Sequence, residues 1–144
     1  MKPVNTMKLK MLSKSSNESF ARVAAAAFVA ALDPTVEEIS DIKTAVSEAV
    51  TNSIVHAYRE QFGYIYLSAE IFSDRLVRIK VRDTGCGIED IEQAMQPMYS
   101  SLGGERAGLG FAVMQSFMDK VRVRSAPGSG TTVTMIKRLS DRHE

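Results

Sequence analysis

Three short segments of this chain carry groups suited to holding a charged ligand. Glu48, Asn52 and His56 recur every four residues; on a helix each is turned about 40° from the last, so the three line one stripe. Asp83-Thr84-Gly85-Cys86-Gly87 sets a carboxylate beside two glycines. There the backbone at Gly85 and Gly87 admits a ligand closely, and Asp83 supplies an acceptor. Gly108-Leu109-Gly110 opens a further helical stretch, and free N–H groups at a helix N-terminus, aided by the macrodipole, suit a phosphate. Each segment alone has a plainer reading: a solvated helix face, a glycine turn after a strand, or a joint before a helix.

The elements that must position these groups follow from periodicity. Met7 to Met11 alternates apolar and basic residues, as a half-buried strand does. Ser15 with Glu18 has capping-box spacing, and Phe20, Val23, Ala24, Ala27, Phe28 and Ala31 form an apolar stripe on a first helix that stops at Asp33-Pro34. Thr35 with Glu38 repeats the signature before Val36, Ile39, Ile42, Val46, Ala49, Val50 and Ile54, a long second helix ending near Ala57. Ile65 to Ile71 and Val77 to Arg82 read as a hairpin whose second strand runs into Asp83. A short helix is predicted from Asp90 to Met95, a lid from Pro97 to Gly108 and a helix from Leu109 to Met118. Strands through Val121 and Val123 and through Val133 and Met135 follow, joined by Pro127-Gly128-Ser129-Gly130. This order predicts an α+β two-layer sandwich, a mostly antiparallel sheet with helices on one face.

At 144 residues and 44% hydrophobic content the chain has room for one domain, 1–144. A net charge of +1 lacks the excess expected of a nucleic-acid binder, and the apolar run Ala24 to Leu32 is too short to cross a bilayer. No direct nucleic acid and no membrane partner is expected. The single cysteine, Cys86, excludes an intramolecular disulfide and fits a cytoplasmic setting.

The three segments also occur together in one order. Ser47 to Asn52, with His56, resembles the N box of the superfamily that includes gyrase, histidine kinases and a heat-shock chaperone. Asp83 to Ile88 resembles its G1 box, Gly108 to Phe111 its G2 box, and Gly130-Thr131-Thr132-Val133 its late Gly-Thr segment. Within it, Asn17 to Val23, Leu32 to Thr35, Ile42-Lys43-Thr44 and Phe117-Met118-Asp119 are similar to the anti-sigma-F family of endospore-forming bacteria, which are serine kinases.

The resemblance implies a Bergerat ATP-binding fold using ATP or ADP with Mg²⁺. Asn52 would place its amide oxygen on Mg²⁺, a hard cation that takes oxygen ligands. Asp83 would accept from the adenine amine, within the turn formed by Gly85 and Gly87, and Thr132 would support the same ring. Gly108, Leu109 and Gly110 would give the phosphates backbone N–H groups, with Arg106 neutralising charge. Glu48 would be the catalytic base; a carboxylate of ordinary pKa suffices, because a loose phosphoryl transition state mainly needs the hydroxyl oriented.

Implied partners are a sporulation sigma factor, sequestered by the protein, and an anti-anti-sigma protein phosphorylated on serine. Arg22 on the first helix would meet both, and the first strand would help form a homodimer. The lid departs from the family pattern, with Ser100-Ser101-Leu102-Gly103-Gly104 where relatives tend to carry Thr-Thr-Lys-Pro, which predicts disorder without nucleotide. Asp83-Thr84-Gly85 also matches the aspartic-protease triplet, but two long helices before it argue against that fold. The other readings left open are a stress-response anti-sigma factor and a nucleotide-dependent binding module without kinase activity.

Overall fold

The computed structural model describes residues 2–57, 62–85 and 106–141, and of residues 56–57 and 106–109 the backbone alone. The chain folds as β1 (Asn5–Leu12), α1 (Ser16–Val29), a 3₁₀ turn (Ala30–Leu32), α2 (Val36–Asn52), a π turn (Ser53–Ala57), β2 (Tyr64–Phe72) and β3 (Leu76–Asp83). After the gap come α3 (Arg106–Phe117), β4 (Lys120–Ala126) and β5 (Gly130–Arg138). The five strands form one sheet in the order β1-β2-β3-β5-β4, and all four pairings are antiparallel. The expected short helix from Asp90 to Met95, the Ser100–Gly104 departure and Cys86 lie outside the described residues.

Strict alternation makes the sheet two-faced. Leu9 and Met11, Ile65, Leu67 and Ala69, Val77, Ile79 and Val81, and Val133 and Met135 point to the helices and form the core with Ile42, Val46 and Val50 of α2 and Met114 of α3. The opposite side of the sheet carries no helix among the described residues and is lined by charged and aromatic side chains. Asp83 closes the inward row of β3 and is itself buried.

The two predicted helix starts differ. Thr35 forms the full capping box, its hydroxyl accepting from Glu38 N–H at 3.0 Å while Thr35 N–H donates to Glu38 Oε1 at 2.9 Å. Glu38 Oε2 also accepts from Ser140 N–H at 2.7 Å, which fastens the end of the chain to the start of α2. Burial alone raises the Glu38 pKa, but the N–H bonds from Thr35 and Ser140 outweigh it and hold the carboxyl below its usual range. Ser15 makes no such cap: its backbone is already helical, and Glu18 pairs instead with Arg22.

The buried stripe of α1 also differs from the predicted one. Ala21, Ala25 and Val29 are fully buried, whereas Phe20 and Val23 are 53% and 54% exposed. Both stripes have helical spacing in this alanine-rich segment. The side with small residues lets α1 lie close against α2, which leaves Phe20 and Val23 outward, while Phe28 of the predicted stripe still packs against the core. Val36, at the first position of α2, is likewise exposed, because it precedes the turn that reaches the core.

Candidate nucleotide site

The end of α2, the start of α3 and the end of β3 meet on the helix side of the sheet. Gly110 of α3 is buried against α2. A methyl group added there would sit 3.2 Å from Asn52 Oδ1, 3.3 Å from Glu48 Oε1 and 3.4 Å from Asn52 Nδ2. The four-residue spacing thus brings Glu48 and Asn52 to one point, and a residue without a side chain opposite leaves room for them. Both carboxamide atoms of Asn52 are buried with no hydrogen-bond partner among the described residues. Such atoms cost free energy unless a ligand satisfies them.

Ser53, the residue after Asn52, begins the π turn and donates its hydroxyl to Asp83 Oδ2 at 2.9 Å. Asp83 Oδ1 accepts from Gly85 N–H at 3.0 Å and Thr131 N–H at 3.2 Å. An ionised carboxylate has about four acceptor positions, so among the described residues three are filled and one, on Oδ2, is left for a further donor. Burial pushes the Asp83 carboxyl up, against the Gly85, Ser53 and Thr131 hydrogen bonds and the nearby Arg82 charge, which pull it down.

Gly130 sets the opposite wall. It has φ +85, and a Cβ there would lie 2.2 Å from the Asp83 carbonyl oxygen and 2.7 Å from Thr84 Cα. Only glycine lets β5 begin this close to the end of β3.

Several expected residues occupy places different from those the sequence suggested. Thr132 pairs with Arg82 on the side of the sheet away from Asp83; the parity of the strand puts Thr131 beside the carboxylate instead, with its hydroxyl 2.8 Å from Ser125 Oγ. The helix expected from Leu109 begins at Arg106, so it takes in the last residues of the stretch expected to form a lid, and residues 97–105 lie outside the described ones. Gly108 therefore lies in the first turn, where N–H groups have no partner within the helix, while Gly110 is far enough in to join the ladder. Gly110 contributes its lack of a side chain. Gly87 lies outside the described residues, and of Arg106, Leu109 and His56 only the helical backbone is described. Arg22 is on α1, well away from these groups in the chain, bound to Glu18 Oε2 at 3.2 Å and Ser19 Oγ at 3.1 Å.

Ser53 and Thr131 escaped the sequence reading. The parity of β5 relative to Asp83 was the signal available for Thr131. For Ser53 the α-helical period gave none, because the helix widens to a π turn at that residue.

The arrangement fits a magnesium nucleotide. Mg²⁺ is usually held by one or two protein oxygens together with phosphates and water. The described residues supply an orphaned amide oxygen beside a carboxylate and no group of three or more metal-binding side chains. A triphosphate suits the first turn of α3, and the open position on Asp83 suits an amine.

Comparison with known proteins agrees with this geometry. A family model described as a histidine kinase-like ATPase domain matches residues 13–137. The chain is 60% identical over 134 residues to a protein named anti-sigma F factor from Caldanaerobacter subterraneus subsp. tengcongensis, covering 92% of this chain and 93% of that one. It is 58% identical over 138 residues to an anti-sigma F factor of Thermoanaerobacter sp., covering 95% and 96%. In fold it is similar to the RsbU and RsbW domains of a Mycobacterium tuberculosis protein, with a TM-score of 0.71 and 23% identity over 95% of this chain and 32% of that one.

Proposed function

Because the chain belongs to the histidine kinase-like ATPase family and, within it, to the anti-sigma F factors, we propose that it sequesters a sporulation sigma factor and uses Mg-ATP to phosphorylate an anti-anti-sigma protein on serine. The observation that carries this reading is the convergence on one point beside Gly110 of Glu48 Oε1 and the Asn52 carboxamide, which has no hydrogen-bond partner among the described residues.

In this reading Asn52 Oδ1 is a ligand for Mg²⁺, which when bound neutralises charge on the phosphate oxygens. The first-turn N–H groups of α3, Gly108 among them, hold the phosphates together with the backbone of Leu109, and Arg106 adds charge. Asp83 accepts the adenine amine on its open Oδ2 position, while Ser53, Gly85 and Thr131 fix its orientation. Glu48 accepts the proton of the substrate serine as that oxygen bonds to the γ-phosphorus and the bond to the bridging oxygen of ADP breaks.

Partner docking is supported by α1, where Phe20 and Val23 are exposed apolar side chains on one side of the helix and Arg22, paired with Glu18, lies on an adjoining side. That surface suits both the sigma factor and the anti-anti-sigma protein. A homodimer is supported by β1, an edge strand whose outer ladder has no partner within the sheet.

The test is transfer of labelled phosphate from Mg-ATP to candidate anti-anti-sigma proteins, read as phosphoserine. Wild type is expected to label its substrate, and Glu48→Gln to bind ATP without labelling it. Equal labelling by Glu48→Gln removes Glu48 from the mechanism. ATP binding with no labelling of any candidate by wild type leaves a nucleotide-dependent binding module.

A further inference from the structure

The side of the sheet turned away from the helices carries a lattice of cations. Its register aligns Lys10, Tyr66, Arg82, Thr132 and Arg124 in one row across all five strands, and Lys8, Ser68, Lys80, Thr134 and Arg122 in the next. A third row holds Thr6, Glu70, Arg78, Ile136 and Lys120. Cations occupy β1, β3 and β4, alternate strands in the sheet order, so neighbours lie about 10 Å apart along a row and about 7 Å apart between rows. Glu70, the one carboxylate in these rows, is taken by Arg78 at 2.7 Å. Lys8, Lys10, Lys80, Arg82, Lys120, Arg122 and Arg124 have no ion-pair partner among the described residues.

Three rings stiffen the array. Lys10 Nζ lies 4.2 Å from the Tyr64 ring centre, and Arg82 Cζ and Arg78 Cζ lie 4.1 Å and 4.8 Å from those of Tyr66 and Phe72. Beside the lattice, Phe72, Leu76, Arg78 and Ile136 line a shallow apolar dimple. The even balance of eighteen Lys and Arg against seventeen Asp and Glu conceals this segregation. With eight cations and one carboxylate on the sheet face, the rest of the chain is net acidic.

We propose that this face docks an acidic polypeptide segment carrying an apolar side chain. Carboxylates on one side of a helix recur at about 6 Å and about 10 Å, and on one side of a strand at about 7 Å, which matches the lattice in either direction. The dimple accepts an aliphatic or aromatic group, which a polynucleotide does not offer. Base stacking needs uncovered rings, and each ring on this face already has a cation over it. A second copy of the chain, laid face to face, would set like charges against each other. The docking is electrostatically steered and stands apart from the nucleotide groups on the other side of the sheet.

The test is fluorescence anisotropy of the full chain with a labelled synthetic glutamate-rich peptide bearing one central phenylalanine, alongside oligo-dT of equal charge. Binding is expected to weaken at least roughly fivefold as salt rises from about 0.05 M to about 0.3 M. It should weaken at least roughly tenfold in Lys80→Glu/Arg122→Glu, with nucleotide affinity unchanged as the check on folding. Replacing the phenylalanine of the peptide by glycine is also expected to weaken it. No binding of the peptide, binding indifferent to the charge reversal, or oligo-dT bound more tightly than the peptide overturns the proposal.

Discussion

Asn52→Ala is expected to make the nucleotide-free protein more stable and the nucleotide-bound protein relatively less so. Both carboxamide atoms are buried without a partner among the described residues, and an unsatisfied buried polar group costs about 1–3 kcal/mol. Alanine removes both and is the better helix former by up to about 0.7 kcal/mol. Against this stands the loss of one carbon's contacts, on the order of 1 kcal/mol. The balance is a gain of up to about 3 kcal/mol, which for a chain of this size raises the unfolding midpoint by up to roughly 10 °C.

Mg-ATP at about a thousand times its Kd adds about 4.1 kcal/mol to a protein that binds it, so the order of the two midpoints reverses when Mg-ATP is added. Scanning calorimetry of both proteins, with chelator and with Mg-ATP, reads this directly. A variant that melts below wild type in chelator, or that keeps the full Mg-ATP shift, refutes the assignment of Asn52 as a buried group held ready for a ligand.

Two further outcomes follow from the walls around Asp83. Gly130→Ala places a methyl 2.2 Å from a backbone oxygen at φ +85 and is expected to cost at least about 3 kcal/mol, whereas Gly128→Ala, at φ +79 with nothing within 4 Å, costs about 1 kcal/mol; equal losses in chemical denaturation would contradict the packing described. Asp83→Asn keeps Oδ1 as acceptor for the Gly85 and Thr131 N–H groups and, with the hydroxyl turned to accept, lets Nδ2 donate to Ser53 Oγ, so it should be at least as stable as wild type at neutral pH while losing tenfold or more in nucleotide affinity, roughly the value of one charge-assisted hydrogen bond. Because the folded pKa of Asp83 is raised, its burial weighs against the fold most above that pKa and ceases to do so as pH falls through it. The stability gap between Asp83→Asn and wild type should therefore narrow on acidification, and a gap that widens would show the sign to be wrong.

The parts of the fold legible in the sequence are those where one physical signal acts alone. The Thr35/Glu38 box, the long stripe of α2 and the alternation of β2 and β3 into Asp83 each admit a single reading. Alpha-helical spacing likewise placed Glu48 and Asn52 together. Where two signals coincide the sequence is ambiguous. In α1, two apolar stripes share the same period, and close packing against α2 decides between them. Thr131 and Thr132 are chemically alike, and only the register against β3 separates them. Ser15 has the right neighbours for a cap, but its own backbone is already helical. The cation lattice is invisible to net charge because it is balanced elsewhere in the chain.

The strand order has a consequence for biosynthesis. β5 is made after β4, yet it lies between β3 and β4, and its first residues bring Gly130 and Thr131 against Asp83. A nascent chain still short of that point on the ribosome has α2 and Asp83 but lacks the wall that orients the carboxylate. Orientation of the Asp83 carboxylate thus waits on synthesis of β5, and a chain truncated before Gly130 is expected to lose the Thr131 hydrogen bond to Asp83 and with it nucleotide affinity.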